Sequence, residues 1–141
     1  MALQLTLDCS DPHAQAQFWA VVLDYKVDDH DELIAGLVES GQMAADSEDI
    51  TAVNGRRTFR DYSSITPVDS GDENRMLFQR VPEEKVVKNR LHVDVHTPEG
   101  EREAKVKTLI DLGARKLWNG QMGPMSWITL ADPEGNEFCV S

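Results

Sequence analysis

The chain has 141 residues, of which 40% are hydrophobic and 28% charged, a composition ordinary for a globular protein of one domain. Its formal net charge of −11 argues against nucleic acids and anionic membrane surfaces as partners, since both would repel it. Two cysteines that form no CxxC pair give no disulfide framework, and with neither a charged-then-apolar leader nor a long apolar run we expect a cytoplasmic protein.

The chain begins with a predicted strand and helix. Apolar and polar residues alternate strictly over Gln4–Cys9, which predicts a β-strand with one apolar face. Asp11 followed by Pro12 is typical of a helix start, because Asp11 can cap free N–H groups and Pro12 has no N–H to satisfy. Apolar residues at i, i+4 spacing then predict an amphipathic helix that ends near Asp24.

The region Val27–Glu73 has no counterpart later in the chain, and its residues 29–62 are called the insertion below. Asp29–Ser40 carries apolar residues at helical spacing, and Gly41 follows in the position of a helix stop. Ile50–Val53 and Arg57–Tyr62 flank an Asn-Gly pair, the strongest two-residue hairpin signal. The insertion is therefore predicted to consist of one short helix and one β-hairpin.

The chain between the insertion and the second helix is predicted to be loop, strand, connector and strand. A polar loop at residues 70–74 precedes a strand at Met76–Arg80, and the polar segment Pro82–Asn89 connects the two halves. A strand at Leu91–Val95 follows. Thr97 and the proline after it are typical of a helix start, as in the first half.

The rest of the second half is predicted to be one helix and three strands. Apolar residues continue at helical spacing up to Gly113, which ends the helix. Strands are predicted near Arg115–Trp118, at Ser126–Leu130 and at Asn136–Val140, with a glycine-rich loop at residues 120–124 between the first two. The sequence Asp-Pro-Glu-Gly before the last strand fits a type I turn.

The two halves resemble one another in sequence. Residues 4–12 read QLTLDCSDP and residues 90–98 read RLHVDVHTP, and matching their prolines aligns Thr6 with His92 and Asp8 with Asp94. Such self-similarity indicates an internal duplication.

The duplication predicts an α+β fold of two tandem βαβββ modules. Module one is expected at residues 1–82, with the insertion at about 29–62, and module two at residues 90–141. The mixed sheets should form a curled trough with the helices outside. Because the apolar faces of the strands bury against the helices, the side chains of Thr6 and His92 are expected to line the trough.

Three stretches of the chain, LTLDCSDPHAQAQFW, FQRVPEEKVVKNRLHVDV and WITLADPEGNEFCV, resemble the vicinal oxygen chelate superfamily. Its members include glyoxalase I, bleomycin-resistance proteins and extradiol dioxygenases, and the sequence is most similar to the glyoxalase-like domains common in actinobacteria. The resemblance implies a small-molecule site in the trough, of lyase, isomerase or dioxygenase type or without catalysis. It also implies a homodimer.

The resemblance further implies metal ligands on the first and last strands of each module. These positions fall on Thr6 and Gln79 in module one and on His92 and Cys139 in module two, while Glu137 lies two residues before Cys139 on the same face. His92, Glu137 and Gln79 form the implied ligand set. A tightly bound divalent metal is disfavoured, because none of the four positions offers a hard cation a carboxylate.

Five residues of module two are candidates for the site. His92 is the main candidate, as metal ligand or general base, with Glu137 as its catalytic partner. Asp94 could hold His92 or could pin the strand ends. Trp127 could stack on a flat ligand, although core packing is the more common role of a tryptophan. Cys139 is a candidate ligand-binding residue whose simpler role is that of a small buried residue.

Three functions stay open at this stage. The first is an enzyme that acts on a small carbonyl or aromatic metabolite through His92. The second is a metal-free protein that captures a drug or metabolite, with Trp127 and the insertion residues Phe59 and Tyr62 providing affinity. The third is a scaffold whose trough has lost its ligand.

Overall fold

The computed structural model describes residues 3–68, 71 and 74–141, and within them it contains three helices and ten strands. The chain divides into two compact units. The first unit consists of the chain up to Ala20 together with Asp24–Pro82, and the second unit of Val21–Leu23 together with Glu83–Ser141. In the part of the chain that the structure describes, no helix has both the length and the apolar character needed to cross a membrane.

The first part of the chain forms two helices and six strands, in the order β1 (Gln4–Cys9), α1 (Pro12–Leu23), β2 (Tyr25–Val27), α2 (Asp31–Glu39), β3 (Ile50–Val53), β4 (Arg56–Phe59), β5 (Tyr62–Pro67) and β6 (Arg75–Arg80). Four of the strands make a sheet in the order β1-β6-β5-β2. Strands β1 and β6 are parallel, and the other neighbours are antiparallel. Strands β3 and β4 form a separate hairpin.

Helix α1 begins as predicted from its capping residues. The Asp11 carboxylate accepts hydrogen bonds from the backbone N–H groups of His13 and Ala14, both at 3.1 Å, and Pro12 occupies the first turn. The helix ends at Asp24, whose backbone is left-handed with φ 55°. Its bulkiest apolar side chain, Trp19, is buried, as the apolar stripe requires.

The predicted insertion is present as a helix and a hairpin. Helix α2 ends just before Gly41, and Asn54 and Gly55 adopt φ of 50° and 78°, the left-handed pair that a tight type I′ turn needs. The prediction that the second hairpin strand reaches Tyr62 was wrong, because β4 ends at Phe59 and Tyr62 begins β5. Strands β2 and β5 were not predicted, and most of the predicted 70–74 loop lies outside the described residues.

The second unit contains the remaining elements, β7 (Asp94–Val95), α3 (Arg102–Asp111), β8 (Arg115–Met122), β9 (Met125–Ala131) and β10 (Glu137–Val140). Its sheet has the order β7-β10-β9-β8, with β7 and β10 parallel and the other neighbours antiparallel. This is the arrangement of β1-β6-β5-β2, so the sequence repeat corresponds to a repeat of sheet topology.

The start of the second unit differs from the prediction. The strand expected at Leu91–Val95 is reduced to its last two residues, and His92 lies just before the ladder. Thr97 does not cap a helix, because its backbone N–H and its hydroxyl both donate to the carbonyl of Ser141, at 2.8 and 2.9 Å. Helix α3 therefore starts only at Arg102.

The turn regions of the second unit were predicted with mixed success. The Asp-Pro-Glu-Gly turn is confirmed, since the N–H of Gly135 donates to the carbonyl of Asp132 at 2.9 Å. The prediction of a glycine-rich loop at residues 120–124 was wrong. Strand β8 extends to Met122, and only Gly123 and Pro124 form the turn to β9. Strand β8 is thus eight residues long and adds side chains to the sheet face described next.

Candidate functional site

A cavity of about 710 Å³ lies on one face of the second unit's sheet. Its walls come from residues of β9 and β10, including Trp127, Thr129 and Cys139, together with the buried Phe138. Most of the β9 side chains that line the cavity lie on one face of the strand, that of Met125, Trp127 and Thr129. The volume is in the range of small-molecule sites in proteins.

Strand register brings three of the predicted site residues together at one end of this cavity. Cys139 lies directly opposite Asp94 across the parallel β7–β10 pair, and His92 lies two residues before Asp94. One ligand-type atom from each of these residues lies within 4.8 Å of the other two. We call these three residues the His-Asp-Cys cluster.

Two contacts hold the cluster. The Nδ1 of His92 lies 3.1 Å from a carboxylate oxygen of Asp94, and the side chains are 40% and 58% exposed. The thiol of Cys139 lies 3.5 Å from the hydroxyl of Thr129. Burial raises the pKa of the Cys139 thiol; the contact with Thr129 opposes this rise, and the charge of Asp94 adds to it. The thiol is therefore protonated at neutral pH when nothing binds it.

Glu137 lines the same cavity but is engaged by other groups. Both of its carboxylate oxygens face the ammonium of Lys85, at 3.1 and 3.2 Å, and one also accepts the backbone N–H of Asn89 at 3.0 Å. Burial works to raise the pKa of Glu137, but these hydrogen bonds outweigh it and lower the pKa. The carboxylate anchors the connector between the halves.

The other two predicted site residues belong to the first unit. Thr6 lies on β1 opposite Leu77, and Gln79 lies on β6 opposite Asp8. The implied metal set of His92, Glu137 and Gln79 does not fit a hard divalent cation, because its single carboxylate is already paired with an ammonium group and its third member is a neutral amide.

Four large apolar side chains form the wall of the cavity along the β8–β9 hairpin. Trp118, Met122 and Met125 are 48%, 61% and 55% exposed, and Trp127 completes the set. Strand pairing places all four on one face, since Trp118 pairs with Thr129 and Met122 with Met125. We call this set the indole-methionine wall. Sequence reasoning missed Trp118 and Met122, although their i, i+4 spacing on a longer β8 would have predicted them.

Gly120 explains how Trp127 lies flat in this wall. The two residues are partners across β8 and β9, and a Cβ atom on Gly120 would lie 2.1 Å from Cε2 of the Trp127 indole. No side chain could occupy position 120 without displacing the ring. The glycine therefore lets the indole pack directly on the neighbouring strand.

The first unit has a cavity of its own, of about 870 Å³, at the insertion. Phe59 and Tyr62, which the sequence analysis named as residues that could provide affinity, line it together with His30. Burial lowers the pKa of His30, with the nearby Asp28 opposing the effect. The Asp28 carboxylate also accepts hydrogen bonds from the hydroxyls of Ser64 and Thr66, at 2.5 and 2.7 Å.

Two mixed sheets of identical strand order, each with a parallel outer pair, define the fold of the vicinal oxygen chelate superfamily. Within it, the model of the glyoxalase-like domain matches residues 4–141, so the chain belongs to that family. No curated protein matches the sequence at a significant level.

Solved structures with the same fold include proteins of different activities. A glyoxalase/bleomycin resistance protein/dioxygenase family enzyme from Burkholderia phytofirmans PsJN is 17% identical, with 97% of this chain and 94% of that chain covered and a TM-score of 0.61. The fosfomycin resistance protein FosX from Mesorhizobium loti is 13% identical, with coverages of 98% and 87% and a TM-score of 0.60.

A third similar structure is a binding protein. The bleomycin-binding protein of Streptomyces verticillus, complexed with copper(II)-bleomycin, is 14% identical, with 100% of this chain and 94% of that chain covered and a TM-score of 0.54. At these identities the likeness concerns the fold alone, and the site must be interpreted from its own residues.

Proposed function

We propose that the protein captures a flat, largely apolar small molecule in the cavity of the second unit. The observation that carries this proposal is the indole-methionine wall, because four large apolar side chains line one cavity and three of them are about half exposed or more. Such clustering on a protein surface is typical of a binding site. Indole rings give a ligand a large contact area, and methionine side chains adapt to its shape.

The opposite end of the cavity supplies the polar groups that orient the ligand. His92 and Asp94 lie there, as does His96, whose Nδ1 is 2.8 Å from the hydroxyl of Ser141. An apolar wall with a few convergent polar groups is the usual composition of a small-molecule site. A planar ligand with one hydrogen-bonding edge would therefore stack on Trp127 and direct that edge toward His92.

The test is a ligand screen by thermal shift and tryptophan fluorescence, starting with flat aromatic compounds. For a compound that binds, Trp127→Ala should weaken binding about 10-fold or more, because stacking and burial of an indole are worth at least ~1.4 kcal/mol. Trp118→Ala should also weaken it. Val68→Ala, which removes an exposed apolar side chain of the first unit, should leave the affinity unchanged. Equal affinities in all four proteins would refute the proposal.

A second candidate function is proton abstraction alpha to a carbonyl, which the His92–Asp94 contact favours. The carboxylate at 3.1 Å from Nδ1 would fix the tautomer and leave Nε2 as the general base, with Asp94 as a positioning residue. Screening of 2-oxoaldehydes and other small carbonyl compounds for product formation separates the two functions. Turnover that is lost in His92→Ala would replace capture by catalysis; binding without product in the wild type supports capture.

A further inference from the structure

We propose that the cavity of the first unit binds a small organic cation, an amine that carries an aromatic or other apolar group. The proposal goes beyond the capture of an apolar molecule by the second unit, since it concerns a different cavity and a ligand of different charge. It follows from the side chains that line the cavity, from the counterions of those side chains and from a buried ring nitrogen without a hydrogen-bond partner.

The cavity is built mainly by the insertion. Most of its lining residues belong to residues 29–62, and its volume of about 870 Å³ is in the range of small-molecule sites. Thr6 and Gln79, the two positions of this unit where the family resemblance implies ligands, do not line it. Because the insertion has no counterpart in the second half of the sequence, the site is particular to the first unit.

Aromatic and aliphatic side chains form part of the wall. The rings of His30 and Phe59 are 5.4 Å apart, with an interplanar angle of 58°. Tyr62 and Leu33, which also line the cavity, are 44% and 54% exposed. These side chains can bury the apolar part of a ligand, and the faces of aromatic rings attract organic cations because they carry partial negative charge.

Carboxylates outnumber cationic side chains around the cavity. Among the described residues, the acidic and basic side chains that line it are those of one arginine, Arg75, and of four aspartates, Asp28, Asp29, Asp49 and Asp61. The charge of the arginine is balanced by Asp28, whose carboxylate oxygen lies 4.0 Å from its Nε. The remaining negative charge attracts a cation, and the formal net charge of −11 acts in the same direction.

Asp49 has no counterion in the part of the chain that the structure describes. Its carboxylate accepts a hydrogen bond from the hydroxyl of Ser47, at 3.5 Å. Arg60 is close in the fold, because its backbone N–H donates to the carbonyl of Asp49 at 2.8 Å. The guanidinium of this arginine nevertheless donates to the backbone carbonyls of Glu48 and Ile50, so it does not neutralise the carboxylate.

Two of the other lining carboxylates are paired at the surface. Asp29 lies 2.6 Å from the guanidinium of Arg56, and Asp61 lies 3.1 Å from that of Arg80. All four side chains are about half exposed. The ammonium group of a ligand would therefore pair with Asp49.

His30 supplies a second polar contact. Its Nδ1 is buried and has no hydrogen-bond partner among the described residues, which is uncommon for a buried polar atom. Burial lowers the pKa of this histidine, so the ring is neutral at neutral pH and one of its nitrogens can accept a hydrogen bond. An N–H of a bound ammonium group would satisfy Nδ1, whereas an anionic or purely apolar ligand would not.

The experiment titrates the full chain with three probes of similar shape and different charge. Phenethylamine is cationic at neutral pH, phenethyl alcohol is neutral and phenylpropionate is anionic. By isothermal titration calorimetry at low ionic strength, we expect the amine to bind at least about 10-fold more tightly than the alcohol and than the anion. Added salt should weaken the binding of the amine and leave that of the alcohol nearly unchanged.

Two variants of one loop test the role of Asp49. Asp49→Asn removes the charge and keeps the size of the side chain, so it should weaken binding of phenethylamine about 5-fold or more. Asp46→Asn is the matched control, because Asp46 is exposed, lies three positions away and does not line the cavity. The same loss of net charge should there leave the affinity nearly unchanged. Circular dichroism checks that both variants are folded.

A third variant tests the aromatic wall. Tyr62→Leu removes one aromatic face from the cavity and should weaken binding of the amine about 2-fold or more, with a smaller effect on the alcohol. Amide chemical-shift changes in the wild type locate the amine independently of any substitution, and we expect the largest changes near Asp49 and Phe59.

Three results would overturn the proposal. The first is equal affinity for the amine and the alcohol, and the second is an equal loss in Asp49→Asn and Asp46→Asn, which would mean attraction by net charge alone. The third is loss of amine binding in Trp118→Ala, because the amine would then lie in the cavity of the second unit. We expect Trp118→Ala to bind phenethylamine normally, so failure of either proposal leaves the other standing.

Discussion

The two units share one sheet topology but present different surfaces. In the first unit, two arginines of the insertion are paired with acidic side chains: Arg56 with Asp29, and Arg57 with Asp31. In the second unit, one face of the sheet carries an exposed apolar wall and a cluster of ligand-type side chains. The same strand order therefore carries different side chains in the two units.

Two aligned positions illustrate the difference. Thr6 and His92 occupy equivalent places in the repeated sequence, as do Asp8 and Asp94. In the first unit Asp8 lies opposite Gln79, whereas in the second Asp94 lies opposite Cys139. At the equivalent positions the first unit has the neutral side chains of Thr6 and Gln79, whereas the second unit has the imidazole of His92 and the thiol of Cys139.

The largest expected effect on stability comes from Gly120, which belongs to the second unit's wall. In Gly120→Ala the new methyl group must displace the Trp127 indole, since they would otherwise be 2.1 Å apart. We expect the free energy of unfolding to fall by about 2 kcal/mol, as for other overpacked sites, together with loss of ligand binding. Urea denaturation followed by tryptophan fluorescence measures it.

The first unit offers the matched control, Gly36→Ala. Gly36 lies in α2, and a Cβ there meets no atom within 4 Å, so alanine should raise the free energy of unfolding by up to about 1 kcal/mol. If neither substitution changed the free energy of unfolding, the packing of Trp127 against β8 would not require a glycine at position 120.

Much of the fold could be predicted because short-range signals decided it. Strand β1, the Asp11 cap and the Asn54-Gly55 turn depend on neighbouring residues, and each was predicted correctly. Strand β5 was missed because its buried residues include Ser63 and Ser64, whose small polar side chains do not mark an apolar face.

The candidate site could be predicted only in part. The sequence repeat identified His92 and Asp94, and the resemblance to the vicinal oxygen chelate superfamily identified Cys139. Their mutual distances depend on the register of β7 and β10, which no local pattern encodes. The pairing of Glu137 with Lys85 joins residues 52 positions apart and was likewise beyond sequence reasoning.

The next largest effect on stability is expected for the Lys85–Glu137 pair of the second unit. Its side chains are only 20% and 14% exposed, so Lys85→Met leaves a mostly buried carboxylate without its counterion. We expect a loss of roughly 1 kcal/mol at neutral pH, measured by urea denaturation. Lys88→Met, which removes the other lysine of the connector, should cost less.

The pH dependence of this pair follows from the direction of the shift. The folded protein holds the pKa of Glu137 below its ordinary value of 4.5, so the stabilisation is fully present above that pH. It is lost as the pH falls through the lowered pKa. Lys85→Met should therefore reduce the change in stability between neutral and acidic pH, and an unchanged profile would mean that Asn89 alone holds the carboxylate.

The smallest effect on stability is expected for the ion pair of Asp31 and Arg57, on the exposed surface of the first unit. The guanidinium and the backbone N–H of Arg57 both donate to the Asp31 carboxylate, at 2.8 and 2.9 Å, and lower its pKa to about 2. In Arg57→Gln the pKa should rise only part of the way to 3.8, because the backbone N–H remains. Carboxyl carbon NMR titration measures this change directly.

Arg56→Gln tests which guanidinium is responsible. Arg56 lies 2.6 Å from Asp29 but 3.8 Å from Asp31, so its removal should raise the pKa of Asp29 and leave that of Asp31 nearly unchanged. The reverse result would mean that the two arginines exchange partners in solution. Since the Asp31 pair is exposed to solvent, its contribution to stability should be smaller than that of Lys85–Glu137. The insertion would then be positioned by charged contacts that set orientation, whereas the connector of the second unit is held by a pair that contributes to the stability of the fold.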